Sequence, residues 1–215
     1  MIVTIDGPAG AGKSTVAKEL ARRLGFRFLD TGAMYRAVAL AGWRRGVDWD
    51  DPAALAHIAA QIQIQFDGQR VLLDGEDVSS AIRDPEITGL TRHPAGNPQV
   101  RQRLGELQRE AAAGQNVVSE GRDQGTVVFP DAECKIFLTA TSAERARRRY
   151  EDLRARGAEV TLEEVQQGQD QRDQQDVTRP CGPLVKAADA IEVVTDGLSY
   201  QQVVDRLEGL VRQRM

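Results

Sequence analysis

The chain is poor in the residues on which most covalent catalysis and most metal sites depend. Its 215 residues include two cysteines and two histidines. Cys134 and Cys181 lie far apart with no CxxC pair, which argues against a disulfide framework and a thiolate metal site. Cys134 falls in an apolar strand-like run and reads as a small core residue. His57 has no partner at metal spacing, so neither histidine supports a metal site. No stretch approaches 18 apolar residues, which excludes a membrane-spanning helix. Asp6 breaks the N-terminal apolar run after five residues, so no secretory signal is expected. Positive charge is not in excess: 28 Lys and Arg face 32 Asp and Glu, for a net charge of −4. A nucleic-acid polymer is therefore not an expected partner, because phosphate-backbone binding needs a basic surplus. Local arginine clusters can still hold one small anion. There is no internal repeat. A reducing cytoplasm fits these features.

What remains is the composition of one globular domain, with or without an insert: 41% hydrophobic and 28% charged. One motif dominates it. Gly7-Pro8-Ala9-Gly10-Ala11-Gly12-Lys13-Ser14-Thr15 matches the phosphate-loop pattern G-x-x-x-x-G-K-[ST]. A β-branched run, Ile2 to Asp6, precedes it and reads as a buried strand. Val16 to Leu24 follows with helical spacing of apolar residues, and Gly25 stops it. Glycines at 7, 10 and 12 let the backbone turn its N–H groups inward onto an anion. The helix N-terminus adds positive potential. Lys13, expected to be exposed in the loop, reaches toward terminal phosphates, and the Ser14 hydroxyl is a candidate Mg²⁺ ligand. Pro8 stiffens the cradle.

Strand-like runs at Ile2–Asp6, Phe26–Asp30, Asn116–Ser119, Lys135–Ala140 and Ala190–Thr195 alternate mostly with helical patterns. The expected fold is α/β, a five-stranded parallel sheet with helices on both faces. Ligands of such sheets bind beyond the carboxyl ends of the strands, where Asp6, Asp30 and Glu120 fall. Function is favoured over helix capping for Asp30 and Glu120; Asp6 is left open. Strict alternation over Gln61–Phe66, then Asp67-Gly68 and Val71–Leu73, reads as a β-hairpin. It marks a small antiparallel subdomain inserted over residues 36–110, within a core of 1–35 and 111–215. Ser142 to Arg156 is a long basic helix, and Thr161-Leu-Glu-Glu164 is a capping box opening a second polar helix. Beside a phosphate loop this pair reads as a helical lid near 145–165, with Arg148 or Arg149 meeting ATP phosphates.

The acceptor must be read from other clusters. Strand two runs into Leu29-Asp30-Thr31-Gly32-Ala33-Met34-Tyr35-Arg36, with Thr31 placed to cap a helix that carries Arg36. Strand three ends in Glu120-Gly121-Arg122-Asp123-Gln124-Gly125-Thr126, and an arginine there can grip a phosphate with both arms. Arg172, Asp176 and Arg179 follow i, i+4, i+7 spacing on one helical face, an arrangement equally consistent with a surface ion-pair ladder.

Together with Gly75-Glu-Asp-Val-Ser79, Pro98-Gln-Val-Arg101, Arg122-Asp-x-Gly-Thr-Val-Val-Phe-Pro-Asp131 and Ala187-Ala-Asp189, these residues make the chain resemble the bacterial cytidylate kinases, P-loop nucleoside monophosphate kinases. The resemblance implies transfer of the γ-phosphoryl group of ATP to CMP or dCMP with Mg²⁺, and a three-stranded insert. It implies that Lys13, Arg122 and Arg179 act on the transferring group. It also implies that Arg36, Arg122 and Arg179 hold the CMP phosphate, that Arg101 and Asp123 hold cytosine, and that Arg172 and Asp176 hold the sugar. Thr31 stands where the family often has Ser. Two residues depart from the pattern: Glu120 replaces an Asp, moving the carboxylate outward by a methylene, and Arg92 replaces a Ser that touches cytosine. A kinase for another monophosphate such as UMP, or a nucleotide-driven switch, are the alternatives. The chain lacks the Asn/Thr-Lys-x-Asp string that reads guanine, which counts against a GTPase switch. A cytoplasmic monomer is expected.

Overall fold

The computed structural model describes residues 1–68, 70–155 and 157–215. Gln69, which falls in the expected hairpin, and Arg156, which falls in the expected basic helix and lid, lie outside the described residues. The strands are β1 (Ile2–Asp6), β2 (Arg27–Asp30), β3 (Ile64–Asp67), β4 (Arg70–Leu73), β5 (Glu76–Asp77), β6 (Val117–Gly121), β7 (Cys134–Thr139) and β8 (Ile191–Val194). The α-helices are α1 (Lys13–Leu24), α2 (Thr31–Arg44), α3 (Pro52–Gln61), α4 (Pro85–Leu90), α5 (Arg92–Gly96) and α6 (Pro98–Ala112). They continue with α7 (Ser142–Ala155), α8 (Leu162–Thr178) and α9 (Tyr200–Arg212). The chain divides into two units, Met1–Leu29 with Ala112–Met215, and Asp30–Ala111.

The larger unit is built on a five-stranded sheet in the order β2-β6-β1-β7-β8. β1 pairs in parallel with β6 and β7, and β7 with β8. The alternation along β1 decides what each face does. Val3 and Ile5 enter an apolar core with Val16, Ala17 and Leu20 of α1 and Val204, Leu207 and Val211 of α9. Leu20, Leu138 and Leu207 are fully buried, and each such side chain contributes ~1.5–3 kcal/mol of transfer free energy. Thr4 and Asp6 point to the other face, against a single π-helical turn, Gln124–Val128. The turn packs closely at Gly125, where a Cβ would lie 2.9 Å from Thr4 Oγ1 and 3.2 Å from Lys135 Cδ. Asp6 anchors that turn by accepting the Gln124 and Gly125 N–H groups at 2.9 and 2.7 Å. Its role, open in the sequence, includes holding this turn in place. Burial outweighs those two bonds and pushes its carboxyl up to about 6.

The smaller unit has its own three-stranded antiparallel sheet, β3-β4-β5. Its hairpin closes at Asp67 opposite Arg70, with Gly68 at φ 59. The alternation from Gln61 overstated the strand. Gln61 completes α3, and the Ile62 N–H still bonds to Ile58 O. The helix is well started, by Asp51 accepting from Ala53 and Ala54 and by Pro52 in its first turn, and it propagates through Gln61, the first polar position of the alternating run. α2 packs against α3, α4 and α5, burying Met34, Val38, Leu55, Ile58 and Ile87. The cap of α2 is Asp30, not Thr31: its side chain accepts the Ala33 N–H at 2.8 Å, while Thr31 is the first helical residue and is buried. A carboxylate at this position competes better for the free N–H groups than the following hydroxyl.

Both cysteines are free. Among the described residues no helix is long and apolar enough to cross a membrane.

Candidate active site

The phosphate loop leaves β1 through Gly7. Its φ is 149°, and a Cβ there would overlap Leu138 O at 1.9 Å, so only glycine fits against β7. Gly12, at φ 85°, precedes α1 and offers no side-chain cap, and the first turn of the helix holds no acidic residue. The leading N–H groups of α1 are thereby left for an anion.

Lys13 is buried, at 5% exposure, rather than exposed as expected. Its Nζ donates to Pro8 O at 2.7 Å, so the side chain folds back across its own loop. Burial, then the nearby Arg122 guanidinium, depresses its ammonium to about 7, against the partial support of Glu120, Asp6 and Asp176. Ser14 donates its hydroxyl to Glu120 Oε1 at 2.6 Å. The longer carboxylate thus reaches the loop serine directly.

Two of the arginines expected at the acceptor side, Arg122 and Arg179, gather around one carboxylate, that of Asp176. Arg122 Nε donates to Asp176 Oδ2 at 2.7 Å, and Arg179 Nη1 to Asp176 Oδ1 at 3.4 Å. Arg179 also lies 3.8 Å from Asp123 Oδ1 and donates to Gly182 O. Asp123, at 3% exposure, is nearly closed off from solvent. The structure brings Lys13, Arg122, Asp123, Asp176 and Arg179 together beyond the strand ends; the contacts just given and the charges acting on Lys13 connect them. It does not keep Arg172, Asp176 and Arg179 on one helical face. α8 ends at Thr178, and Arg179 has left the helix with ψ 142°. Arg172 is exposed, whereas the inward positions of α8 are Val165, Gln169, Asp173 and Asp176.

In the smaller unit, Arg36 Nη2 lies 3.3 Å from both oxygens of Asp30. Asp30, for which function was favoured over capping, serves here both as the cap of α2 and as the partner of Arg36. The Arg36 Nε is buried with no hydrogen-bond partner among the described residues. Arg101 sets its guanidinium over the Tyr35 ring, 5.5 Å from the centroid, and donates to Ala95 O at 3.2 Å. Arg92 turns its Nε to His93 Nε2 at 3.3 Å.

Of the two arginines expected to meet ATP phosphates from a lid, Arg148 is committed to Glu144 and to Thr195 Oγ1 and O, at 2.8, 3.0 and 2.9 Å. The sequence reading passed over Arg145, which is buried and donates to Ala9 O in the phosphate loop. Its position at the start of a basic run hid it among surface charges. Its one distinguishing signal was its place three residues before Arg148, beside the small Ala146, on the face that turns inward.

A model of the cytidylate kinase family matches residues 3–213. A cytidylate kinase of Rhodopirellula baltica is 50% identical over 213 residues, covering 99% of this chain and 93% of its own length. One from Geobacter sulfurreducens is 49% identical over 218 residues, covering 100% of this chain and 94% of its own. An uncharacterised protein of Eubacterium ventriosum, known from a crystal structure, is 14% identical with a TM-score of 0.53 over 100% of this chain and 99% of its own; that likeness concerns the fold alone. A family match along nearly the whole chain, with relatives at half identity, shows that this chain belongs to the cytidylate kinase family, enzymes that transfer a phosphoryl group to CMP.

Proposed function

We propose that the donor is the γ-phosphoryl group of ATP, that CMP or dCMP accepts it on a phosphate oxygen, and that Lys13, Arg122 and Arg179 neutralise the charge in transit. The observation that carries the reading is geometric: Lys13 is buried with its Nζ across the phosphate loop on Pro8 O, and Arg122 and Arg179 converge on Asp176 beyond the strand ends. A buried ammonium beside the Arg122 guanidinium is held down to about 7, a state that an incoming polyanion relieves. Phosphoryl transfer needs positioning and charge neutralisation more than covalent groups. The acceptor oxygen is already anionic, so no general base is required, in keeping with the scarcity of histidine.

The residues from Gly7 to Thr15 would cradle the ATP phosphates. Within the larger unit, Arg122 and Arg179 would hold the acceptor phosphate, Arg172 and Asp176 its sugar, and Asp123 the base. Within the smaller unit, Thr31, Arg36 and Arg101 would meet CMP. The unpartnered Arg36 Nε supports this, since a buried donor without an acceptor costs ~1–3 kcal/mol. Ser14 and Glu120 fit Mg²⁺: they are adjacent oxygen donors beside the loop, at 2.6 Å from one another. Mg²⁺ takes few protein ligands and completes its shell with phosphate oxygens and water. When bound, it would spread the negative charge of the transferring group. A cytoplasmic monomer without nucleic-acid or membrane partners completes the reading.

Release of ADP followed with and without CMP tests it. The expected result is release that depends on CMP and is far slower with UMP. Equal release without an acceptor would overturn it.

The lid is part of the same proposal. Water must be kept from ATP, and the capping box at Thr161 and Glu164 gives α8 a firm start from which a helical pair can close. Hydrogen exchange in the described part of 145–165 is expected to slow only when ATP and CMP are both bound. Unchanged exchange with binding demonstrated would remove the lid.

A further inference from the structure

Ala9 sits in the phosphate loop between Pro8, which fixes its own φ, and Gly10, which is at φ 75°. Its peptide groups are pinned on both sides. Asp173 Oδ1 accepts the Ala9 N–H at 3.1 Å. Arg145 Nη1 donates to Ala9 O at 2.9 Å. Arg145 and Asp173 are ion-paired to one another, and the Arg145 Nε is fixed on Ala140 O at 3.1 Å. The Gln169 side chain closes the third side: a Cβ at Gly10 would lie 2.4 Å from its Nε2 and 3.4 Å from Arg145 Cβ. Arg145 and Gln169 are both buried. This is not the arrangement of a surface ion pair.

We propose that Arg145 and Asp173, closed over by Gln169, are positioning residues that preset the phosphate loop for ATP. The proposal rests on the function proposed above. A glycine-flanked loop loses much backbone freedom when it wraps a phosphate chain. Fixing the Ala9 peptide beforehand removes part of that cost, and the gain shows as affinity. The geometry also ties the loop to the acceptor cluster. Asp173 and Asp176 both lie on the inward side of α8; the first holds the loop and the second holds Arg122. One helix therefore sets both the nucleotide cradle and an arginine of the acceptor side.

The test uses the full chain with Asp173→Ala, Asp173→Asn, Arg145→Met and the Asp173→Ala/Arg145→Met double variant. KM for ATP and for CMP, ATP Kd by calorimetry and Tm are measured for each. Asp173→Ala is expected to raise KM and Kd for ATP about tenfold, a typical size for coupling through a positioning contact, with KM for CMP within about threefold of the parent. Asp173→Asn keeps an oxygen for the Ala9 N–H and should recover most of the ATP affinity. The double variant should be no worse than Asp173→Ala, because the two side chains act as one unit. ATP affinity within twofold of the parent in both Asp173→Ala and Arg145→Met overturns the proposal. So does an equal rise for ATP and CMP that Asp173→Asn does not rescue, which marks a merely structural pair. If Asp173→Ala fails to fold, Asp173→Asn and Arg145→Met carry the same comparison. A parent that binds no ATP would instead count against the proposed function.

Discussion

Lys13→Ala is expected to lower kcat by about a hundred- to a thousandfold, ~3–4 kcal/mol of transition-state stabilisation, while the fold survives. The site geometry sharpens the stability half of this expectation. Lys13 is buried and depressed from 10.5 to about 7, first by burial and then by Arg122. Between about pH 7 and 10.5 the unfolded chain holds a proton at this position that the folded chain releases. Stability therefore rises with pH through that window, and below about 7 the penalty of the buried charge is fully present. Removing the charge removes the penalty, against the loss of one bond to Pro8 O. Lys13→Met, which keeps the aliphatic stem, should thus melt at or above the parent at pH 7. The extra rise in parent Tm toward pH 10 should be missing from the variant. Turnover near normal would contradict the charge-neutralising role. A collapse in Tm would make Lys13 a structural residue.

Asp123→Ala is expected to abolish most of the preference for CMP over UMP. Cytosine presents an amino donor at N4, and a carboxylate accepts from it; uracil presents an acceptor in the same place. The expected loss in kcat/KM for CMP is ten- to a hundredfold, ~1–3 kcal/mol, with UMP much less affected. Sites built on such polar contacts discriminate well because the wrong base leaves buried groups unpaired. The structure also supplies the competing role: Asp123 lies 3.8 Å from the Arg179 guanidinium. If Asp123→Ala lowers kcat/KM for CMP and UMP by the same factor, Asp123 holds the arginine and does not choose the base.

Much of the fold was legible because its signals are local. β1 appears with the expected ends, and the Thr161–Glu164 box caps α8 as expected from four residues of sequence. The hairpin was found from alternation and Asp67-Gly68, but its first strand begins at Ile64, because a helix already under way through Ile58 claims Gln61. Within the site, the legible part was the loop and the arginine cluster, which a specific string of residues announces. The illegible part was polar and inward-facing. Lys13, Arg145, Gln169 and Asp173 read as surface residues by composition. Each is inside only because its partner or its burying neighbour is supplied by distant chain: Asp173 and Ala9 are 164 residues apart. Periodicity reports which face of a helix is apolar; it is silent about a polar face that finds a backbone peptide to hold.

The central claim is that this site moves a phosphoryl group from ATP onto CMP. Incubating the protein with Mg²⁺, CMP and ATP labelled at the γ-phosphorus, then separating the products, tests it directly. The account predicts label in CDP, almost none in inorganic phosphate, and no transfer by Lys13→Ala on the same timescale. Label released as inorganic phosphate at the same rate with and without CMP would contradict it.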